Sequence, residues 1–221
     1  MRVDLHVHTT HSRDGLIAPR SIARWARRRR LDAVAITDHN TIAGALELHA
    51  LDDLPIIVGE EIRTNEGELI GLFLERHVPP GLSPEETAWV IRQQGGLVYV
   101  PHPCDRVRGS ALSAAALLRM LGQVDIIEVL NARVTFLVDN RQARALAAAH
   151  GLAMGAGSDA HQGYELGRAY VEMAPFEDAP TFLASLRCAT IGGRTSSPLV
   201  HVASACAKVA RELAPFASYA R

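Results

Sequence analysis

Cysteine is scarce in this sequence. Cys104, Cys188 and Cys206 are scattered along 221 residues, odd in number and never paired as CxxC. That argues against a disulfide framework and against a thiolate zinc site, and it suits reduced thiols in a cytosol. An excess of charge of either sign is missing too: 23 basic and 24 acidic side chains leave a formal net charge of −1. There is no general attraction to nucleic acid or anionic membrane, so any anionic substrate must be held by local charge. No apolar stretch is long enough to span a bilayer, and Asp4 and His6 stand where a signal peptide would need an apolar run. The expectation is a cytoplasmic protein with no membrane partner. No linker, low-complexity run or internal repeat divides the chain, and its length and apolar fraction of 48% fit one domain over residues 1–221.

What is present is alternation. Short β-branched runs take turns with longer Ala/Leu/Arg segments, the pattern of a parallel sheet whose strands are linked by helices. Strands are expected at Val3 to Val7, Ala33 to Ile36, Ile56 to Val58, Leu97 to Val100, Ile126 to Val129 and Ala153 to Gly155, with further strands near Val171 and Ile191. Helices are expected at about Pro19 to Arg29, Thr41 to Ala50, Pro84 to Gln93, Ser113 to Leu121, Val138 to His150 and Ala179 to Arg187, with a C-terminal helix over about 199–213 packed on the rest. The segment "GELIGLFLERHVPPG" reads instead as a strand leaving into a proline-rich loop.

The residues just past each apolar run carry the chemistry. "VDLHVHTTHSRDG" (residues 3–15) holds His6 and His8, and "TDHN" (37–40), "GEE" (59–61), "PHP" (101–103), "LNAR" (130–133) and "GSDAH" (157–161) follow the later strands. In barrels and open α/β sheets the C-terminal strand ends converge on one face. His6 and His8, two residues apart on a strand, project to the same face and can hold one ion together. Imidazoles and carboxylates crowded into a core are costly unless a cation binds them. Mixed N/O ligands without thiolate fit Zn²⁺, Mn²⁺ or Fe²⁺.

The ordered series "DLHVHT…S.DG", "TDHN", "GEE", "PHP" and "GSDAH", spread from residue 4 to residue 161, resembles the PHP superfamily (polymerase and histidinol phosphatase). The resemblance covers about three quarters of the chain. It implies an α/β fold, a distorted (βα)₇ TIM-like barrel with two or three divalent metal ions at the C-terminal strand ends, and phosphoester hydrolysis. By motif, His6 and His8 would bind a first ion with Asp159, Glu61 would bridge to a second held by His102, and Asp14, His39 and His161 would hold a third.

This sequence departs from the pattern twice. Some relatives place a histidine ligand after the fifth strand, where this chain has Asn131. Some place a histidine where Asp14 stands, a harder ligand that favours Mn²⁺ or Mg²⁺. Glu60 competes with Glu61, but strand neighbours point to opposite faces, so only one reaches the ions; Glu61 holds the third position of the G-x-E pattern. "ARRRR" (26–30) ends a helix, where cations complement the dipole and their stems cover apolar surface. His77 and His150 read as solvated, while His11 lies between metal motifs. Arg106, Arg108, Arg133 and Arg168 follow motif strands, and arginine binds phosphate oxygens bidentately. At least one is expected on the substrate, Arg133 and Arg106 first.

The function these readings imply is hydrolysis of a small phosphorylated metabolite or nucleotide, by a hydroxide bridging two ions, with His161 or a metal-bound water protonating the leaving group. A 3′–5′ exonuclease, a histidinol-phosphate phosphatase and a non-catalytic metal-binding module are the alternatives. A nucleic-acid polymer would need a basic stripe that the near-neutral charge does not provide.

Overall fold

The computed structural model describes residues 1–51 and 53–197, so the helix expected over about 199–213 lies outside the described residues. Nine strands form one sheet in the order β7-β6-β5-β4-β3-β2-β1-β8-β9. They are β1 (Arg2–Val7), β2 (Ala33–Ile36), β3 (Ile56–Thr64), β4 (Gly67–Leu72), β5 (Leu97–Val100), β6 (Ile126–Asn131), β7 (Ala153–Gly157), β8 (Ala169–Glu172) and β9 (Thr190–Gly193). The helices are α1 (Ile22–Arg29), α2 (Ala43–His49), α3 (Pro84–Arg92), α4 (Ala114–Met120), α5 (Leu137–Ala149) and α6 (Ala179–Leu186). Their starts have local causes. Ser83 and Glu86 form a capping box behind Pro84 at α3, and the Ser113 hydroxyl accepts from the Ala116 N–H at α4. Among the described residues no helix is long and apolar enough to cross a membrane.

Strands β1 to β3 and β5 to β7 pair in parallel, as the helical connections require. β4 is the exception: it runs antiparallel to both β3 and β5. Only Asn65 and Glu66 separate it from β3, and a two-residue turn can only send the chain back on itself. The sheet nearly closes. β1 pairs with β8 through Arg2 and Val3 only, while beyond its middle the His6 carbonyl accepts from Asp159 N–H at 2.8 Å and His8 N–H donates to the Ala160 carbonyl at 2.9 Å. The segment after β7 thereby meets β1, giving a distorted, nearly closed TIM-like barrel in which β8 lies beside the start of β1 with Ala169 and Val171 in the interior, and β9 pairs with β8 at the edge of the sheet.

Burial follows strand alternation. Val3, Leu5, Ala33, Ala35, Ile57, Ile70, Leu72, Tyr99, Ile126 and Ala153 form the interior cluster, joined by Phe182 of α6. Val98, Val100, Ile127 and Val129 face outward onto α3, α4 and α5, and Val7, Val34 and Ile36 onto α1 and α2. Toward the C-terminal ends of the parallel strands the interior changes from apolar to polar, and there the side chains of Glu61, His102, Glu128 and Asp159 are buried.

Two irregularities set which side chains reach that polar layer. Between Asp4↔Val34 and Val7↔Ile36, β1 spends three residues against two of β2. This bulge lets the consecutive residues Leu5 and His6 both face inward. β6 shifts register between Glu128 and Leu130 in the same way, and Asn131 joins Glu128 inside rather than facing the helices. Bulges beside sites commonly re-aim a side chain in this manner.

Candidate metal centre

At the centre, His6 Nε2 and His8 Nε2 lie 3.0 Å apart. Glu61 Oε2 is 3.4 Å from both, and Asp159 Oδ1 is 3.7 Å from His6 and 3.4 Å from His8. All four side chains are fully buried. Their orientation is fixed from behind. His6 Nδ1 faces Glu128 Oε1 at 3.1 Å, an acceptor that places a proton on Nδ1. His8 Nδ1 faces Ser12 Oγ at 3.2 Å. Ser12 Oγ gives its own proton to Asp38 Oδ1 at 2.8 Å, so it accepts from His8. Such outer partners of a ligating histidine select the tautomer and aim the opposite nitrogen at the ion.

Two flanks extend from this centre. On one, His39 Nδ1 is 3.1 Å from Glu61 Oε2, and Asp14 Oδ2 is 3.7 Å from His39 Nε2 and 3.3 Å from His161 Nε2. His161 Nδ1 donates to the Asp159 carbonyl at 2.9 Å, leaving Nε2 toward Asp14. On the other flank, His102 Nε2 meets Glu61 Oε1 at 3.1 Å, with Glu68 Oε2 at 3.9 Å. Three groups each bring ligand atoms within 4.8 Å of one another: His8, His39 and His161; His6, His8 and Glu61; and Glu61, Glu68 and His102. All eight residues expected as ligands come together, with Glu61 in the middle.

Backbone conformation supports the aim. His102 (φ 31°) and Asp159 (φ 53°) are held in the left-handed region, which non-glycine residues adopt at a cost of order 1 kcal/mol and keep where surroundings over-determine them. His102 N–H donates to Glu128 Oε2 at 2.8 Å, and Asp159 N–H is tied to β1.

Several contributors carry no ligand signature in the sequence. Glu128 touches His6, His102, Asn131 and the Tyr99 hydroxyl. Asp38 binds Thr9 N–H and hydroxyl at 2.6 and 2.7 Å as well as Ser12. Asp4 accepts from Ser158 N–H at 2.8 Å and Gly167 N–H at 2.9 Å, bracing the β7 end. The aspartate of "TDHN" and that of "VDLHVH" were visible as motif members, but only the fold shows that they act through Ser12, Thr9 and Ser158. Asn131 is fully engaged as a positioning residue: its amide donates to Glu128 Oε2 at 2.9 Å and Asp159 Oδ2 at 3.2 Å, and its Oδ1 accepts from Arg133 N–H at 2.8 Å.

The arginines separate. Arg106, expected near substrate, turns away: Nε and Nη2 contact Asp139 Oδ1 at 2.9 and 2.7 Å, and its backbone N–H also reaches Asp139. The buried carboxylate at the start of α5 captures it. Arg108 occupies the site instead, with Nη2 2.6 Å from Asp159 Oδ2. Buried Arg133 brings Nη1 to 3.5 Å from the Asp159 carbonyl. Glu60 points out of the barrel, accepting from His77 Nδ1 at 2.8 Å and Val78 N–H at 2.9 Å; His77 is thus a partner of Glu60 rather than simply solvated. His11 pairs with Glu47 on α2 at 2.9 Å.

Charge balance in the centre is tight. Burial and then the neighbouring His161 and His39 rings lower His8 to about 3, so it is neutral. Burial alone would lower His6, but Asp159, Glu61 and Glu128 outweigh it and hold it well above the usual value. His39 is likewise raised to about 9, burial being overcome by Glu61 and Asp14. Burial would raise Glu61 and Asp159, yet His6 and His39 around the first, and Arg108 and His6 around the second, keep both well below the carboxylate range.

The residues fit a divalent cation. Glu61 Oε2, Asp159 Oδ1, Glu68 Oε2 and Asp14 Oδ1 are buried yet accept no hydrogen bond from the described residues. Buried carboxylate oxygens left unpaired cost several kcal/mol, and these point at histidine nitrogens rather than at apolar neighbours. A mixed carboxylate and imidazole donor set without thiolate is one that can hold such a cation.

Comparison with known proteins agrees with this geometry. The family model described as the PHP domain matches residues 4–93, and one described as PHP-associated matches residues 138–191. MJ0417 of Methanocaldococcus jannaschii is 36% identical over 177 residues, covering 79% of this chain and 71% of the relative; MJ1587 of the same organism is 45% identical over 116 residues, covering 47% and 68%. Among solved structures, a two-domain protein of Bacteroides vulgatus containing a predicted PHP-like metal-dependent phosphoesterase superposes with a TM-score of 0.70 at 18% identity. That match covers 88% of this chain and 65% of the other, so this chain spans slightly less than two thirds of it.

Proposed function

Since the chain belongs to the PHP family of metal-dependent phosphoesterases, we propose that it hydrolyses phosphoesters of small phosphorylated metabolites or nucleotides. The observation that carries this reading is the convergence of Glu61 Oε2 and Asp159 Oδ1, buried and accepting no hydrogen bond from the described residues, on the ring nitrogens of His6 and His8 at 3.4–3.7 Å. In this reading His6, His8 and Asp159 would hold one cation, Glu61 and His102 would hold another beside it, and Asp14, His39 and His161 would serve a third. Bound cations would lower the pKa of water to make a nucleophile at neutral pH and offset charge on the phosphoryl oxygens.

The chain's own residues do the rest. Glu128 and Ser12 hold the His6 and His8 protons at Nδ1, away from the reacting centre. Arg108, partly exposed, gives one N–H to Asp159 and keeps further donors in its planar fork for phosphoryl oxygens. Arg133, anchored over the Asp159 carbonyl, adds fixed positive charge beside it. His161 belongs with the cation ligands, since Asp14 faces its Nε2 at 3.3 Å and a nitrogen bound to a cation carries no proton for a leaving group. A formal net charge of −1 offers no general attraction to a polyanion, which favours a substrate with one or two phosphates over a polymer.

The test is phosphate release with Mn²⁺ over mononucleotides, nucleoside bisphosphates, histidinol phosphate and single-stranded DNA. Release from one or more of the small esters, faster than from DNA, is expected. Cleavage confined to DNA would replace this reading with an exonuclease, and no release from any of them would favour a non-catalytic module.

A further inference from the structure

One buried carboxylate facing the candidate centre stands outside the ligand set expected from the sequence. Glu68 lies near the start of β4, the strand that runs against its neighbours. Because β4 is antiparallel, its beginning sits at the C-terminal end of β3, level with the polar layer. Glu61 is paired with Ile70 across the hairpin, and Glu68 is two residues before Ile70, so both glutamates face the interior. Glu68 is 6% exposed. Its Oε1 takes Arg63 Nη1 at 3.3 Å on the solvent side. Its Oε2 is buried, accepts no hydrogen bond from the described residues, and lies 3.9 Å from His102 Nε2 in the group formed with Glu61.

A surface pair with half-exposed Arg63 needs only one of those oxygens and gives no reason to turn the other toward Glu61. Two buried carboxylates aimed at one imidazole repel unless a proton or a cation lies between them. Asn131 cannot assist, because both ends of its amide are already committed to Glu128, Asp159 and Arg133. Building on the metal-dependent reading above, we propose that Glu68 is the third protein ligand of the cation held by Glu61 and His102, in the role that Asn131 does not fill. Two carboxylates and one neutral imidazole match a divalent ion in charge and make this the most oxygen-rich of the three groups, favouring Mn²⁺ or Fe²⁺ over Zn²⁺.

The test is Mn²⁺ binding to the apo protein by equilibrium dialysis and calorimetry, which needs no substrate. Glu68→Gln, nearly equal in volume, is expected to lose one equivalent of bound Mn²⁺ or to bind it at least tenfold more weakly, with the remaining equivalents unchanged. Arg63→Met, which removes only the outer partner, is expected to keep wild-type stoichiometry and affinity. Wild-type binding by Glu68→Gln overturns the assignment while leaving the phosphoesterase reading intact, and so does equal loss in both variants, which marks a structural ion pair. Absence of any Mn²⁺ on the wild-type chain overturns both. Anomalous scattering from Mn²⁺-soaked wild-type crystals decides independently of how the variant folds: density between Glu61 and His102 within bonding distance of Glu68 Oε2 supports the assignment, and density there with Glu68 turned away ends it.

Discussion

The Nε2 atoms of His6 and His8 face each other at 3.0 Å, while each ring's Nδ1 is committed elsewhere, to Glu128 and to Ser12. Two neutral rings so oriented would oppose lone pair to lone pair. The contact is stable only with a positive charge at that point, either a proton on His6, whose three carboxylate neighbours favour it, or a cation shared with Glu61 and Asp159. The two are alternatives, so binding a cation there displaces a proton.

Chelation is therefore expected to lower stability as well as activity. A ligand that binds only the folded state at 100 times its Kd adds about 2.7 kcal/mol, and stripping the centre removes that contribution. Thermal unfolding with and without a chelator, followed by titration with Mn²⁺, should show a drop in Tm that the ion restores. An unchanged Tm would mean that the buried cluster balances its own charge without a cation.

Glu61 and Glu60 are adjacent and should behave as opposites. Glu61→Gln removes a charge shared among His6, His8, His39 and His102, so bound metal should fall by at least one equivalent and phosphate release should be lost. Glu60→Gln should keep its metal but destabilise the fold by about 1–3 kcal/mol, because a buried charge-assisted bond to His77 or Val78 is lost. Elemental analysis beside urea unfolding separates the two. Metal loss in Glu60→Gln with retention in Glu61→Gln would reverse the register of β3.

That register was legible because strand alternation is a strong rule and β3 is regular. The polar end of nearly every barrel strand was equally visible, since histidines and carboxylates stand out after short apolar runs. The two bulges were not. Simple alternation turns Leu130 inward and Asn131 outward, and only the register shift in β6 brings Asn131 to Glu128. Glu68 was hidden for a related reason: "GELIG" shows a strand but not its direction, and the antiparallel return is what lifts Glu68 to the polar layer. Glu128 reads as a lone acid in an apolar run, and nothing local tells that its partners come from β1 and β5 and the loop after β5.

Cation affinity should rise with pH through a range set by His39. The ring is raised from its ordinary 6.5 to about 9 by Glu61 and Asp14 against the lowering effect of burial. To bind a cation it must give up its proton, so between these values each binding event releases a proton here and apparent affinity should climb by up to about one decade per pH unit for that proton. In chelated protein the sign is opposite: the stability His39 contributes is fully present below pH 6.5 and is lost as pH rises through about 9. Calorimetry of Mn²⁺ binding at pH 7.5 in two buffers of different ionisation enthalpy should give different apparent heats. Identical heats would show that no ligand is protonated beforehand.

Arg106 and Arg108 are two residues apart, and only the second should matter for turnover. Arg106 is held by Asp139 through Nε, Nη2 and its own backbone N–H, with the carboxylate almost wholly buried. Removing that guanidinium leaves Asp139 short of its partner, so Arg106→Met should cost about 1–3 kcal/mol of stability and leave kcat/KM near wild type. Arg108 contacts Asp159 through Nη2 and has Nε 3.7 Å from Asp105 Oδ2, and the donors left over in its fork would be open to phosphoryl oxygens. Arg108→Met should lower kcat/KM by about 10- to 100-fold, the equivalent of one or two charge-assisted hydrogen bonds. Arg108→Lys should recover only part of this, since a point charge cannot reproduce the planar fork. Because Arg108 also touches Asp159, Mn²⁺ content is measured on the same samples: a fall in kcat/KM at full metal loading assigns Arg108 to the substrate, whereas a parallel loss of metal would make it a support for Asp159 alone. Severe loss of activity in Arg106→Met with Arg108→Met unaffected would mean that Arg106 leaves Asp139 when substrate binds.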